Sequence, residues 1–205
     1  MSGMRRSSAA FAFLFLVAAC AQPPAVPYAK SARVAEVTYR APGPDTLTIF
    51  TMVSNRTGKG AHSAVMINAS QRVIFDPAGS FVNERVPEQE DVLYGITPAV
   101  LAGYKSAHAR STFHVVSQTF EVTPEQAAIA LRLATTNGAV ARAFCTSATT
   151  DLLRAVPGFG DINQTMFPTK LMEQLASRPG VVEEKYFEDD EGGIVEGIAG
   201  IVLPD

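Results

Sequence analysis

The sequence predicts a single α+β domain, and three observations carry that expectation. Strand-like and helix-like segments follow one another in mixed order, not in strict βαβ alternation. The early strands are joined by short polar turns of hairpin type. Several helices begin with proline at the first helical position, where its missing N–H is not needed.

Along the chain, Leu47 to Val53 (LTIFTMV) is an apolar, β-branched run of strand length, closed by a polar Gly-containing turn over 54–60. Ala61 to Ile67 (AHSAVMI) and Arg72 to Phe75 (RVIF) read as a second and a third strand, joined as a hairpin through Asn68-Ala69-Ser70-Gln71. Thr97-Pro98 opens a helix reaching about His108, and Thr112 to Val122 reads as a long strand. Thr123-Pro124-Glu125-Gln126 combines a Thr N-cap, Pro at N1 and Gln at N3, which is a capping box, and Asn137-Gly138 ends that helix. A third helix is expected from Cys145 to Ala155, a fourth from Pro168 to Ala176, and a late strand from Val181 to Phe187. The Gly-punctuated stretch from Gly192 to Leu203 reads as a terminal strand pair or a docked tail.

The N-terminus carries an address. Arg5-Arg6, an apolar run from Ala9 to Ala19 and then Cys20 have the layout of a bacterial export signal. The run is too short to cross a bilayer, which takes about 20 apolar residues. Val17-Ala18-Ala19-Cys20 resembles the lipobox of bacterial lipoproteins, in which the cysteine becomes the lipidated first residue. The Pro-rich Ala21–Pro27 suits an extended spacer. The expected organisation is therefore a signal peptide over 1–19, a lipidated Cys20 and spacer over 20–30, and one domain over 31–205. The expected location is the periplasmic face of the cell envelope, with the membrane as partner through Cys20. Ala21 is not the Asp that retains lipoproteins at the inner membrane, which favours the outer one.

The formal charge of −3, together with the acidic cluster from Glu183 to Glu191 and the absence of a basic stripe, speaks against a nucleic-acid partner. The spacing of histidines and cysteines matches no close zinc-ligand pattern. No Gly-rich phosphate loop or nucleophile elbow is present, and no cofactor is expected.

Cysteine arithmetic directs attention to Cys145. Cys20 and Cys145 are the two cysteines of the chain. Acylation of the first leaves the second without a disulfide partner, an odd thiol in an exported protein. At the N-terminus of a predicted helix the unpaired N–H groups favour a thiolate, which is the nucleophilic form, and could hold an oxyanion. Such a thiol needs a base and a group to orient it. All three histidines, His62, His108 and His114, precede Cys145. His62 shares a strand face with Ala64 and Met66, and a hairpin looped at Asn68-Ala69-Ser70 would set Asp76 directly opposite it, with Cβ atoms about 5 Å apart. His114 reads as a core or edge histidine, and His108 as a cation at a helix C-terminus.

With Gly60-Ala61-His62-Ser63-Ala64-Val65-Met66-Ile67 on a strand, a polar residue ending the next strand and Phe144-Cys145-Thr146-Ser147 opening a later helix, the chain resembles the circularly permuted papain-like NlpC/P60 thiol hydrolases. That group includes bacterial envelope proteins and the lecithin:retinol acyltransferase type. In the unpermuted enzymes the cysteine precedes the histidine; the order here fits the permuted arrangement. The resemblance spans about Thr46 to Leu153. It implies a papain-like fold with Cys145 as nucleophile, His62 as base and Asp76 as third residue, where that group more often carries His or Glu. It also implies hydrolysis or acyl transfer at an amide, ester or thioester, on a cell-wall peptide or acyl lipid. A cysteine in a helix is also a common small buried residue. The alternative function is thus a non-catalytic envelope lipoprotein that keeps the fold as a binding or scaffold module.

Overall fold

The computed structural model describes residues 29–201 and 203. Cys20, the expected signal peptide and most of the expected spacer lie outside the described residues. The described chain is α+β. It forms β1 (Thr46–Ser54), β2 (Gly60–Asn68), β3 (Arg72–Phe75), β4 (Glu88–Gln89), β5 (Val92–Leu93), β6 (Phe113–Glu121) and β7 (Val182–Tyr186). The helices are α1 (Ser31–Glu36), α2 (Pro98–His108), α3 (Pro124–Thr136), α4 (Cys145–Arg154), α5 (Pro168–Ala176) and α6 (Ile194–Ala199). The strands make one antiparallel sheet in the order β4-β5-β3-β2-β1-β6-β7.

Side chains alternate across a strand, and here both faces are covered. Leu47, Ile49, Val65, Ile67, Val73 and Phe75 point to one side, where α3, α4 and α5 contribute Ala130, Leu153, Leu171 and Leu175. Phe50, Met52, Ala64, Met66 and Ile74 point to the other, against Tyr104 and Ala107 of α2 and the apolar side chains of α6. Burial on both sides is why β1 reads as an unbroken apolar run in place of an alternating one. Among the described residues no helix is long and apolar enough to cross a membrane.

The capping box of α3 is formed in full: the Thr123 hydroxyl accepts from the Gln126 N–H, and the Gln126 side chain accepts from the Thr123 N–H. Three features depart from the sequence expectations. The short strands β4 and β5 and the helix α1 carry no pattern long enough to announce them. The stretch after Gly192 contains α6, a helix docked on α2, in place of a strand pair. The β2–β3 loop is Ala69-Ser70-Gln71, since Asn68 pairs with Arg72. Asp76 therefore does not lie opposite His62. A one-residue shift of the loop centre moves the pairing by two residues, which keeps His62 and Asp76 on the same face as diagonal neighbours.

Helix α4 is tied to β2 by polar contacts in a buried setting. The Ser63 hydroxyl donates to Thr146 Oγ1 at 3.0 Å, and the Thr149 hydroxyl donates to the Ser63 carbonyl at 3.5 Å. All three residues are fully buried. Thr146→Val would leave the Ser63 hydroxyl without its acceptor and should cost about 1–3 kcal/mol. Urea denaturation of the variant against the parent measures that loss directly.

Candidate active site

Strand β2 begins beside the N-terminus of α5, where only glycine fits. A Cβ on Gly60 would lie 2.7 Å from Pro168 Cβ and 2.9 Å from the Thr169 nitrogen. The Gly60 N–H donates to Thr169 Oγ1 at 2.7 Å. Two residues on, His62 projects to the α2 side of the sheet. Its Nε2 lies 2.6 Å from Asp76 Oδ1. Asp76 directly follows β3 and is 4 % exposed, so its carboxylate depends on partners for its charge. The hydroxyl of Tyr104, a buried residue of α2, donates to the same Oδ1 at 3.1 Å. Gly79 makes room for the other oxygen: a Cβ there would fall 2.1 Å from Asp76 Oδ2.

Cys145 is the first residue of α4. The N-cap position is Phe144, and no side chain caps the helix, so the first N–H groups and the positive end of the dipole are available to an anion. Helix α4 packs on the sheet face opposite to His62. The two nevertheless meet, because β3 pairs with β2 only from Val65 onward and leaves the earlier part of that edge open. The thiol reaches this edge, where the Ser63 backbone N–H and the His62 side chain favour its charged form. It also lies 3.7 Å from Thr146 Oγ1. With Nε2 held by Asp76, the ring nitrogen left for the sulfur is Nδ1.

The electrostatics follow from these contacts. Burial pushes the Cys145 thiol up. The hydrogen bond and charge of His62, with the N–H of Ser63 and the hydroxyl of Thr146, more than offset this and bring it to about 7. Burial likewise works against the His62 imidazolium, but the charge and hydrogen bond of Asp76, followed by Cys145, raise it to about 10. Burial would raise Asp76; His62, by charge and hydrogen bond, then His108 and Tyr104 hold it below the ordinary carboxylate range. Since the thiol value lies below the imidazole value, thiolate and imidazolium is the form of the pair favoured between about 7 and about 10, with the thiolate half formed near neutral pH.

The other histidines do different work. His108 was expected as a cation at the end of α2; burial holds it below the ordinary histidine value against the opposing pull of the Asp76 charge and the Tyr104 carbonyl, and the nearby His62 charge adds to the lowering. Its Nδ1–H donates to the Tyr104 carbonyl at 2.7 Å, and its ring stacks near that of His62, with centroids 6.4 Å apart. His114 pairs with Val53 in the sheet, projects to the face away from His62, and bonds Asn55 Oδ1 at 2.6 Å. It thus sits near the start of an interior strand, apart from the Cys145 site. Among the described residues no group of three His, Cys, Asp or Glu side chains is arranged to hold a metal ion. A cavity of about 300 Å3 opens beside His62, walled by Met52, His108, Arg110, Phe113 and Ile194.

The geometry therefore places Cys145, His62 and Asp76 at one site, with Asp76 diagonal to His62 and not directly opposite it. It adds Tyr104, whose only signal was its place on the buried stripe Val100–Tyr104–Ala107, and Ser63 and Thr146, whose neighbours in sequence gave no hint of their contact. No protein-family profile, curated protein or solved structure matches this chain.

A thiol at about 7 makes a direct prediction. Alkylation of Cys145 in the native protein should rise with pH to a midpoint near 7, because the thiolate is the reactive form. In His62→Ala the midpoint should move toward the ordinary thiol value, and the rate at pH 7 should fall by at least about tenfold. Rates of reaction with iodoacetamide across pH 5–10 check both.

Proposed function

We propose that the chain is an envelope-anchored thiol hydrolase or acyltransferase of the circularly permuted papain-like type. The observation that carries this reading is the relay itself: an uncapped helix N-terminus bearing Cys145, and His62 held 2.6 Å from a buried Asp76. The order of these residues along the chain supports the permuted arrangement.

In this reaction the Cys145 thiolate attacks the carbonyl carbon of an amide, ester or thioester. The carbonyl π pair moves to oxygen, and the N–H groups at the start of α4 receive the oxyanion. Collapse of the tetrahedral intermediate expels the leaving group, which takes the His62 proton, and leaves a thioester on Cys145. Neutral His62 then removes a proton from water, or from an acceptor alcohol or amine. That nucleophile attacks the thioester, and the departing sulfur leaves as the thiolate beside a renewed imidazolium. Asp76 remains ionised throughout and keeps the ring oriented. The cavity beside His62 offers a largely apolar wall to one part of the substrate, a cell-wall peptide or an acyl lipid.

The envelope location rests on the lipobox-like Val17-Ala18-Ala19-Cys20, which would tether the domain through the lipidated cysteine and its Pro-rich spacer. An anchored enzyme of this kind works on substrates of the membrane and the wall, not on diffusing cytoplasmic ones.

Two measurements test the reading. An electrophilic acyl-type activity probe should label the detergent-solubilised protein and fail on Cys145→Ser, with labelling of His62→Ala reduced by about 10²–10⁴-fold. Equal labelling of parent and Cys145→Ser would overturn the catalytic reading and favour a binding or scaffold module. With a turned-over substrate, kcat/KM should follow a bell, rising through about 7 as the thiolate forms and falling through about 10 as His62 loses its proton.

A further inference from the structure

Two strained loops deliver Asp76 and Cys145, and one residue outside the site holds both. Ala78, two residues after Asp76, has φ 54°, and Ala143, two residues before Cys145, has φ 70°. Residues with a Cβ disfavour this left-handed region and keep it where neighbours hold them there. Both loops are bonded, at Ala78 in the first and at Ala139 and Val140 in the second, by the two-residue loop between β4 and β5, Glu90-Asp91, itself with φ 50° and 64°. Two-residue hairpin loops with both residues left-handed favour Asn-Gly or Asp-Gly. This loop instead keeps a carboxylate at each position, and both carboxylates are used.

The Asp91 carbonyl accepts the Asp76 N–H at 2.8 Å. One oxygen of its side chain, Oδ2, accepts two more: the Ala78 N–H at 3.0 Å and the Val140 N–H at 2.7 Å. Glu90 Oε2 takes the adjacent Ala139 N–H at 3.1 Å. The first of these loops follows Asp76, and the second runs from the end of α3 into Cys145. They are distant in sequence and meet on a single carboxylate oxygen.

We propose that Asp91 is a positioning residue that locks the loop after Asp76 to the loop before Cys145, and so sets the separation of the thiol from its base. Hydrogen bonds to a carboxylate are stronger than neutral ones, so one oxygen shared by two backbone N–H groups is a firm joint. A residue serving only the turn would need neither the carboxylate nor its two long-range partners. Glycine at position 91 would in fact suit φ 64° better. The inference rests on Cys145 being the reactive thiol, and its test separates the two claims.

The experiment combines amide exchange on the parent with Cys145 alkylation profiles of the parent, D91G and D91N, beside their melting temperatures. In the parent, the Ala78 and Val140 amides should be protected to the same degree as the β4–β5 hairpin. D91G gains backbone ease at φ 64° but loses two hydrogen bonds to the carboxylate, so it should melt somewhat below the parent, and its alkylation at pH 7 should fall about tenfold as the thiol midpoint rises by about one unit. D91N retains a side-chain oxygen able to accept both N–H groups, and should restore the rate to within about threefold of the parent. Parent-like alkylation in D91G, or equal impairment in D91N and D91G, would overturn the proposal. So would freely exchanging Ala78 and Val140 amides in the parent, a result that stands even where D91G does not fold. An ordinary thiol profile in the parent, with those amides protected, would instead overturn the reading of Cys145 as a nucleophile.

Discussion

The site depends on the hydrogen bond between His62 and Asp76. A carboxylate as buried as Asp76 cannot stay charged without partners, and its two are the His62 ring at 2.6 Å and the Tyr104 hydroxyl at 3.1 Å. Keeping Asp76 ionised favours the imidazolium on His62. A buried imidazolium beside a thiol in turn favours the thiolate, so each charge in the series stabilises the next. The thiolate end is completed by the N–H of Ser63 and by the first turn of α4, whose N-terminus no side chain caps. Tyr104 belongs to α2 and Ser63 to β2. The relay is therefore assembled by the packing of the sheet with its helices, and no single loop could hold it.

The geometry of the sheet explains how two residues on opposite faces come together. His62 points toward α2, while α4 packs against the other side through Thr146, Thr149 and Leu153. They meet at an edge, where β3 stops pairing with β2 after Val65 and Phe75. Beyond that point β2 offers an unpaired backbone edge, and the start of α4 occupies it with the sulfur of Cys145. The early end of β3 thus does two things. It releases Asp76 to turn at Pro77, and it opens the gap that the thiol fills.

Much of this was legible in the sequence, for physical reasons that differ by element. Helices α2, α3 and α5 announced their starts through proline at N1, and α3 also through a complete capping box. The direct pairing of His62 with Asp76 was lost with the loop error, but their side-chain contact survived it, because a shift of two residues in register preserves the face and only a shift of one reverses it. Strands β4 and β5 were not legible, since two residues cannot display a period. Nor was Asp91, whose function comes from Ala78 and Val140, residues that no local pattern connects to it. The place of His108 at the end of a helix suggested a cation, whereas its burial, with the His62 charge beside it, works against its protonation. The helix end was visible in sequence; the neighbouring charge was not.

The central claim is that Cys145 and His62 form a thiolate–imidazolium pair upheld by Asp76. The most direct measurement is the ¹⁵N NMR signature of the His62 ring at pH 8, in the parent and in Asp76→Asn. The parent should show both ring nitrogens protonated at that pH, well above the ordinary histidine value of 6.5, and the variant should show a neutral ring. A neutral His62 ring in the parent at pH 8 would contradict the account.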